Sequence, residues 1–345
     1  MTIDRLKMLA KRAALIGSFV LLLVAGFLAW AWQQRDDVEN VPLPGWPTRD
    51  RAPDSVTVTW LGVTTLLFDD GDTQILIDGF MSRPTLADLL LSRPIESSAA
   101  DVNRAINRFR MDRVAAIVPS HTHFDHALDT AAIAARTGAV IFGSPSAAEL
   151  ARGAGVPEDQ ISIVTDTATR EFGQFSVTLI ETPHIPFGWR GSVPFDGSIE
   201  SPIIGPAPAS AWRVGKNFTI VIVHPQGTTL VQTSAGFTDG ALADVDADVV
   251  MMGTGMLEGL GRQYAEAYWL NMVTSTGAHT VIPMHFDDYT QPFGEVRLFP
   301  RFVDDFGKTV GWLKQFQSYW DNDVSLYLPG FGETFVLYER EAPEA

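Results

Sequence analysis

The chain contains no cysteine among its 345 residues. This absence excludes a disulfide-stabilised scaffold, a thiolate metal site, an iron–sulfur cluster and a cysteine nucleophile. Any bound metal ion must therefore be held by histidine and carboxylate side chains. The sequence offers only 7 histidines for that purpose, so a cluster of them is informative.

Positive charge is also scarce. The 25 Lys and Arg residues are outnumbered by 41 Asp and Glu residues, which gives a formal charge of −16. Such a chain repels phosphate backbones, and we expect no nucleic-acid partner. A disordered chain is excluded, because 46% of the residues are hydrophobic and 21 residues are Phe.

One long stretch lacks charge altogether. Residues 13–32 read AALIGSFVLLLVAGFLAWAW, which is long enough to cross a bilayer. The basic residues before it are Arg5, Lys7, Lys11 and Arg12. The positive-inside rule then predicts a single-pass signal anchor in the inner membrane, with the remainder of the chain in the periplasm. The alternative is a signal peptide cleaved after the small pair Ala29/Ala31, which would give a secreted protein.

The charge is divided unevenly between this N-terminal segment and the rest of the chain. Residues 1–35 contain five Lys and Arg and one acidic residue, which leaves 20 basic and 40 acidic residues and a formal charge of −20 in the remainder. Residues 36–54 are rich in Pro and Asp and are typical of a linker. The sequence therefore predicts an anchor over 1–35, a linker over 36–54 and one domain over 55–340.

The domain region alternates between predicted strands and helices. A strand hairpin with its turn at Asp70 and Gly71 opens the region, and a second hairpin is predicted after Asn217. Strand-rich halves that each include helices predict an α+β fold, with two sheets packed between helices. Residues 185–216 interrupt this pattern with Gly, Pro and Trp, and we interpret them as a flap over a site or as a surface loop.

The chemistry is concentrated in the segment HTHFDH, residues 121–126, which follows an apolar strand and precedes a helical pattern. On an extended backbone residues i and i+2 point the same way, so His121 and His123 can converge on one ion. Asp125 and His126 begin the next helix and turn toward a second position. Neutral imidazoles with a carboxylate are ligands that Zn²⁺ prefers when thiolates are absent.

This spacing resembles the His-x-His-x-Asp-His signature of the metallo-β-lactamase fold family, and the resemblance extends from about Ser55 to Tyr338. It implies an αββα sandwich of two mixed sheets between helices. It also implies a set of metal ligands and one carboxylate that orients a ligand histidine. One zinc would take His121, His123 and His184, the other would take Asp125, His126 and His285, and the orienting carboxylate would be Asp78.

The sequence departs from the family at one position. The resemblance implies a bridging Asp at the end of a late strand, but Ser234 stands there, and Asp239 lies five residues further on. Loss of an anionic bridge would weaken the second site. We expect two zinc ions, with a single zinc, or Mn or Fe, as the alternatives.

The resemblance implies a metal-dependent hydrolase in which an activated hydroxide attacks the substrate and Asp125, as the catalytic carboxylate, orients it. The opening WLGVTT and the Pro-Met-His context are most similar to the branch of ascorbate-phosphate lactonases and N-acyl-phosphatidylethanolamine phospholipase D. That branch implies a small-molecule or lipid-like substrate: a phosphodiester, a phospholipid or a lactone. The alternatives are a non-catalytic metal-binding or scaffold module of the same fold and a β-lactamase-like amide hydrolase.

Overall fold

The computed structural model describes residues 3–47, 52 and 55–339, so parts of the predicted linker and the last residue of the predicted domain lie outside the described residues. The first element is helix α1, Ile3–Trp32. Its section Lys11–Trp32 is long and apolar enough to cross a membrane, and none of its most apolar stretch is buried against the rest of the protein. A signal sequence has the same properties, so the helix by itself does not assign a compartment.

The first sheet contains seven strands, six from the N-terminal half of the chain and the last described strand. These strands are β1 Val56–Trp60, β2 Leu66–Asp69, β3 Gln74–Ile77, β5 Val114–Val118, β6 Val140–Gly143, β7 Ile161–Ile163 and β16 Thr334–Tyr338. Their spatial order is β16-β1-β2-β3-β5-β6-β7. The pairs on the β16 side are antiparallel, and the pairs from β3 to β7 are parallel.

The second sheet also has seven strands and is mixed. They are β8 Ala168–Phe172, β9 Phe175–Glu181, β11 Phe218–His224, β12 Gly227–Gln232, β13 Val249–Gly253, β14 Thr280–Met284 and β15 Ser325–Leu326. Their spatial order is β15-β14-β13-β12-β11-β9-β8, with parallel pairing from β15 to β12. A separate small pair joins β4, Pro94–Ile95, to β10, Ala207–Pro208.

Helices lie on the outer faces of both sheets. The α-helices after α1 are α2 Leu86–Leu90, α3 Ala99–Arg108, α4 Phe124–Ala127, α5 Thr130–Thr137, α6 Pro145–Gly153, α7 Arg262–Trp269 and α8 Phe306–Trp320. Those on the outer faces are α3, α5 and α6 on the first sheet and α7 and α8 on the second. Several begin with a side-chain cap, such as Ser98 on α3 and Ser144 on α6. Helix α5 ends at Gly138 in the left-handed conformation, as its sequence predicts.

The buried side chains divide into layers. The largest cluster lies between the two sheets and includes Phe68 from the first sheet and Ile220 from the second. A second cluster joins the outer face of the first sheet to α3, α5 and α6. A third joins the second sheet to α7 and α8, through Trp269 and Phe316. The predicted α+β fold, an αββα sandwich with an N-terminal apolar helix, is confirmed.

The segment after α1 packs against the domain. Val41 is buried in the core between the sheets, and Leu43 and Trp46 pack against buried clusters. The carbonyl of Pro44 accepts a hydrogen bond from the amide of Leu328. The described part of the predicted linker is therefore attached along the domain, although its composition is that of a flexible segment.

The candidate metal centre

The six predicted ligands follow the carboxyl ends of strands from both sheets. The HTHFDH segment follows β5 in the first sheet, whereas His184 follows β9 and His285 follows β14 in the second. The carboxyl ends of parallel strands commonly form ligand sites, because side chains from several loops converge there. The core between the sheets thus brings together residues that are up to 164 positions apart in the sequence.

The backbone around the cluster is fixed on both sides. The Asp78 carboxylate accepts a hydrogen bond from the Ser120 amide (2.8 Å). The Thr122 amide donates to the Val214 carbonyl (3.0 Å). His123 then caps α4 in an extended conformation, so that Asp125 and His126 lie in its first turn. This turn directs the second pair of side chains away from the first, as the spacing predicts.

The donor atoms form two groups. The first contains His121, His123 and His184, and the second contains Asp125, His126 and His285. Within each group one nitrogen or carboxylate oxygen per residue lies within 4.8 Å of the others. The groups adjoin, since the rings of His121 and His126 are 3.9 Å apart between centroids. The structure therefore brings together all six residues, in the two sets that the resemblance implies.

In the first group two of the three rings are hydrogen bonded to the backbone through the nitrogen that faces away from the site. His123 Nε2 donates to the Pro194 carbonyl (2.9 Å), and His184 Nδ1 donates to the Ile185 carbonyl (2.9 Å). The His123 Nδ1 atom lies 3.2 Å from His121 Nε2. Such bonds fix the tautomer and aim the free lone pair of each ring at the site.

In the second group a buried carboxylate orients one histidine. Asp78 accepts a hydrogen bond from His126 Nδ1 (2.7 Å) and another from the Thr64 hydroxyl. The opposite nitrogen, His126 Nε2, lies 3.6 Å from the carboxylate of Asp125, and His285 Nε2 lies 3.4 Å from the same carboxylate oxygen. Asp78 is thus placed where the sequence predicts it, behind a candidate ligand.

The electrostatic environment keeps most of these groups in the form that binds metal. Burial lowers the pKa of His123 to about 4 and that of His184 to about 3. Burial also lowers the pKa of His121 well below its ordinary value. Burial alone would raise the pKa of Asp125, but the imidazoles of His126 and His285 hold it below its usual range. At neutral pH His121, His123 and His184 are therefore unprotonated beside an ionised Asp125. His126 differs, because the carboxylates of Asp78 and Asp125 outweigh the effect of burial and raise its pKa.

The residues present fit a pair of divalent metal ions. The donors are five imidazoles and one carboxylate, which suit Zn²⁺ and also Mn or Fe. His285 Nδ1 is buried and has no hydrogen-bond partner among the described residues. Burying a polar atom without a partner destabilises the folded protein. A metal site that fixes the position of the His285 ring explains why the sequence keeps this unfavourable arrangement.

No carboxylate bridges the two groups within the described residues. Ser234 lies on the wall of the site, where the family resemblance places the bridging Asp. Asp239 is exposed and accepts a hydrogen bond from the side chain of Asn271 (3.0 Å). Asp239 therefore does not replace the bridge, and the two donor groups share no anionic ligand.

Strained backbone surrounds the site. Asp78, His285, Val63, Ala235 and Met256 all have φ between 50° and 60°. Non-glycine residues adopt such angles only where the surrounding structure enforces them, and they cluster at functional sites. This clustering is independent of the histidine pattern and marks the same place.

Sequence reasoning missed the support beneath His285. The His285 amide donates to the Val63 carbonyl (2.9 Å), and the Val63 amide donates to the carboxylate of Asp287 (2.9 Å). Arg83 is buried beside Asp287, at 3.9 Å between charged atoms. The opening turn of the domain therefore positions a side chain from a late strand, a contact that no local pattern contains.

A cavity of about 200 Å³ opens over both donor groups. Its wall is mostly apolar, and the larger side chains in it are Phe124, Ile185, Phe187, Phe195, Met256 and Phe299. Among the described residues that line it, none is Lys or Arg, and Asp125 is the one acidic residue. Tyr289 also lines this cavity. Apolar walls with a few convergent polar groups are typical of a small-molecule site.

The fold and this arrangement define the class. An αββα sandwich with a His-x-His-x-Asp-His segment at its strand ends, facing two further histidines, is the metallo-β-lactamase fold. A family model described as the metallo-beta-lactamase superfamily matches residues 58–203. Residues 58–203 are therefore similar to that superfamily, over less than half of the chain.

Parts of the chain are similar to a curated protein and to solved structures. A curated UPF0173 metal-dependent hydrolase from Rhizobium etli is 29% identical over 127 residues, which are 37% of this chain and 47% of the relative. The match thus spans about half the length of that relative. The isothiocyanate hydrolase from Delia radicum gut bacteria is 15% identical, with a TM-score of 0.49 over 82% of this chain and 100% of its own. A diiron β-hydroxylase from Streptomyces venezuelae is 14% identical, with a TM-score of 0.49 over 84% of this chain and 55% of its own.

Proposed function

We propose that this chain is a membrane-anchored, extracytoplasmic hydrolase that uses two metal ions to cleave a phosphodiester, a phospholipid or a lactone. The observation that carries the proposal is the pair of adjoining donor groups at the floor of an apolar cavity. The ligands we propose are His121, His123 and His184 for one ion and Asp125, His126 and His285 for the other. The name of the curated relative, a metal-dependent hydrolase, supports the same reaction class.

We propose zinc as the metal, because neutral imidazoles and a carboxylate without thiolates are well suited to it. Bound divalent ions would polarise the carbonyl or phosphoryl group of the substrate and make water acidic enough to be a nucleophile near pH 7. The absence of a bridging carboxylate among the described residues makes a single bound zinc the main alternative, with Mn or Fe as others.

Asp125 has a second role in this proposal. One of its carboxylate oxygens lies between His126 and His285, and the residue lines the cavity. The imidazoles around it keep it ionised. It would accept a hydrogen bond from the attacking water and so direct the oxygen lone pair at the substrate.

Tyr289 supplies the neutral donor of the site. Burial raises the pKa of its hydroxyl, so the group stays protonated over the working range of pH. Its ring is held between Phe124 and Phe299, at 5.9 and 5.2 Å between centroids. A fixed donor that faces the cavity would stabilise the negative charge that develops on a substrate oxygen.

The cavity wall restricts the substrate. Because no Lys or Arg lines it within the described residues, it offers no side-chain partner for several phosphate charges. A neutral lactone or a singly charged phosphodiester fits a wall without cationic side chains better than a doubly charged phosphomonoester does. The aromatic wall favours a substrate with an apolar portion, which is consistent with the proposed branch of lactonases and phospholipases.

We propose the anchor over the cleaved signal for residues 1–35. Helix α1 continues through the pair Ala29/Ala31, and Ala31 is buried. A protease requires an accessible, extended segment, which this helical region does not present. The proposed organisation is an anchor over 1–35, an attached connecting segment over 36–54 and a catalytic domain over 55–340, with the domain in the periplasm.

Metal content and turnover test the proposal together. Elemental analysis of the purified full-length chain should give close to two metal ions, and turnover should be found in a panel of bis-p-nitrophenyl phosphate, lactones and phospholipids. The His123→Ala protein should lose most of this turnover while it keeps its fold. A His279→Ala protein is the matched control, since His279 lies outside both donor groups.

Each negative outcome has a meaning. A protein without Zn, Mn or Fe would contradict the proposal. A protein that binds metal but turns over no ester would support the non-catalytic module instead. Turnover of amides in preference to esters would support the β-lactamase-like alternative.

A further inference from the structure

We infer that the cavity opens at the surface of the membrane in which α1 is anchored, and that it takes its substrate from the bilayer. This inference rests on the proposed function, because it assumes that α1 spans the membrane. It adds the orientation of the site and the source of the substrate.

The first observation is a joint between the end of α1 and the catalytic domain. The Arg35 guanidinium donates to the Asp288 carboxylate (2.6 Å) and to the Leu298 carbonyl (3.0 Å). The Arg35 side chain is 15% exposed and that of Asp288 is fully buried. Arg35 also donates back to the Trp32 carbonyl (3.2 Å), which ties the joint to the last residue of the helix.

A second set of contacts reinforces this joint. The Arg301 amide donates to the Gln34 carbonyl (3.0 Å), and the Arg301 guanidinium forms two hydrogen bonds with Asp36. The ring of Trp32 packs edge-on against Phe302, at 6.1 Å between centroids. The end of α1 is thus held to the domain by ion pairs, a backbone hydrogen bond and a ring contact. Segments with this many contacts are rigid, so the joint is not a flexible hinge.

The second observation is that the same loop forms the cavity wall. Phe299 and Tyr289 line the cavity, with 5.2 Å between their ring centroids. Asp288, which holds Arg35, also accepts hydrogen bonds from the Thr290 amide (3.0 Å) and from the Gln291 side chain (2.9 Å). One buried carboxylate therefore connects the membrane-proximal arginine to the loop that carries the cavity wall.

The dimensions place the wall near the membrane surface. A helix of 22 residues, Lys11–Trp32, is about 33 Å long and matches the hydrocarbon core of about 30 Å. Its last residue then lies at the outer boundary of that core. Phe299 is two residues from Arg301, a separation of at most about 7 Å. The interfacial layer of a bilayer is about 5 to 7 Å deep on each side, so a wall this close to the end of α1 would lie beside the headgroups.

Exposed aromatic side chains suit such a position. Phe302 is 58% exposed beside Trp32, and Trp189 is 83% exposed between the cavity residues Phe187 and Phe195. Aromatic rings are stabilised at membrane interfaces, where one edge is apolar and the other hydrated. The remainder of the chain after residue 35 carries a formal charge of −20, so attraction to anionic lipid cannot hold it there, and the anchor and the rings must do so.

Depth measurements in full-length protein test the orientation directly. Because the chain has no native cysteine, Phe302→Cys and Trp189→Cys each allow one environment-sensitive label to be attached. The labelled full-length protein is reconstituted in vesicles that contain brominated phospholipid. Both labels should be quenched by the bromines. The control is Asp72→Cys, in an exposed turn at the opposite end of the first sheet from Asp78, where the label should not be quenched.

Removing the contacts of the joint tests whether it gives the cavity access to substrate in the bilayer. The Arg35→Ala/Arg301→Ala protein should act about tenfold more slowly on a bilayer-embedded phospholipid, because the joint no longer maintains the effective concentration of substrate at the cavity. Its rate on a water-soluble ester should be unchanged. The matched control is Arg104→Ala/Arg152→Ala, which removes one arginine from α3 and one from α6, each paired with an acidic residue of its own helix.

The outcomes separate this inference from the proposed function. Unquenched labels at 302 and 189 would overturn the orientation, even in an active enzyme, and would leave those rings to a protein partner or a second copy of the chain. Equal loss on both substrates would also overturn it. Quenching as expected, in a protein that turns over neither substrate, would support the orientation and contradict the proposed hydrolysis.

Discussion

At the scale of single residues, the site depends on what each polar atom contacts. Tyr289→Phe removes only a hydroxyl from a residue of the cavity wall, so it should leave the unfolding free energy nearly unchanged. It should lower kcat/KM by up to about tenfold, since one hydrogen bond is worth about 0.5 to 1.5 kcal/mol. Steady-state kinetics and chemical unfolding measure the two effects.

Tyr268 provides the matched control for that substitution. Its hydroxyl is buried without a hydrogen-bond partner among the described residues, and Tyr268 lies in the core at α7 and does not line the cavity. Tyr268→Phe should change neither the kinetics nor the metal content. Equal kinetic losses in both variants would show that the effect of Tyr289→Phe is structural.

Substitutions at Ser234 test whether the absence of a bridging carboxylate weakens metal binding. It is buried on the cavity wall, where the family resemblance places a carboxylate. Ser234→Asp should tighten the weaker metal site, because an added anion between two cations favours both. Competition titration with a chromogenic chelator measures the two dissociation constants. Ser234→Asn has nearly the same size without the charge, and similar tightening in that variant would contradict the electrostatic explanation.

At the scale of elements, the turn after β13 packs directly against His285, the residue that follows β14. A Cβ atom added at Gly255 would lie 2.8 Å from His285 Nδ1 and 2.8 Å from the His285 carbonyl oxygen. Gly255→Ala should therefore displace His285 and lower the metal content of the second group, while the far-ultraviolet circular dichroism stays unchanged. Gly259→Ala is the control, because nothing lies within 4 Å of its added Cβ. Full metal content in Gly255→Ala would show that the turn can move.

The elements also show what the sequence could predict. The HTHFDH segment and the strand patterns are local, so the order of the elements and the candidate ligands follow from short stretches. The clamp of Asp287 on Val63 joins residues 224 positions apart, and no periodicity reports such a contact. The segment 36–47 has the composition of a linker, yet its attachment depends on single side chains such as Val41 and on backbone bonds to a distant loop.

At the scale of the whole molecule, the buried histidines link stability to pH. In the metal-free protein burial lowers the pKa of His123 to about 4 and that of His184 to about 3, whereas an unfolded His titrates near 6.5. Between these values the unfolded state binds more protons, so stability falls as the pH drops below about 6.5. Above that pH the two residues are neutral in both the folded and the unfolded state, so they do not change the free energy of unfolding. Urea unfolding of metal-free protein at pH 7.5 and 5.0 should show this loss, and a His184→Gln protein should show less of it.

Metal removal should destabilise the whole domain, because the two groups join loops from both sheets. A ligand that binds only the native state adds about 2.7 kcal/mol at 100 times its dissociation constant. For a domain of this size that corresponds to a rise in Tm of several degrees, at about 2 to 4 °C for each kcal/mol. A chelator should therefore lower Tm, and added Zn²⁺ should restore it. The His123→Ala protein, which lacks one ligand of the first group, should respond less. Since no carboxylate joins the groups among the described residues, stepwise chelation should lower Tm in two stages, and a single stage would show that the groups are coupled through another path.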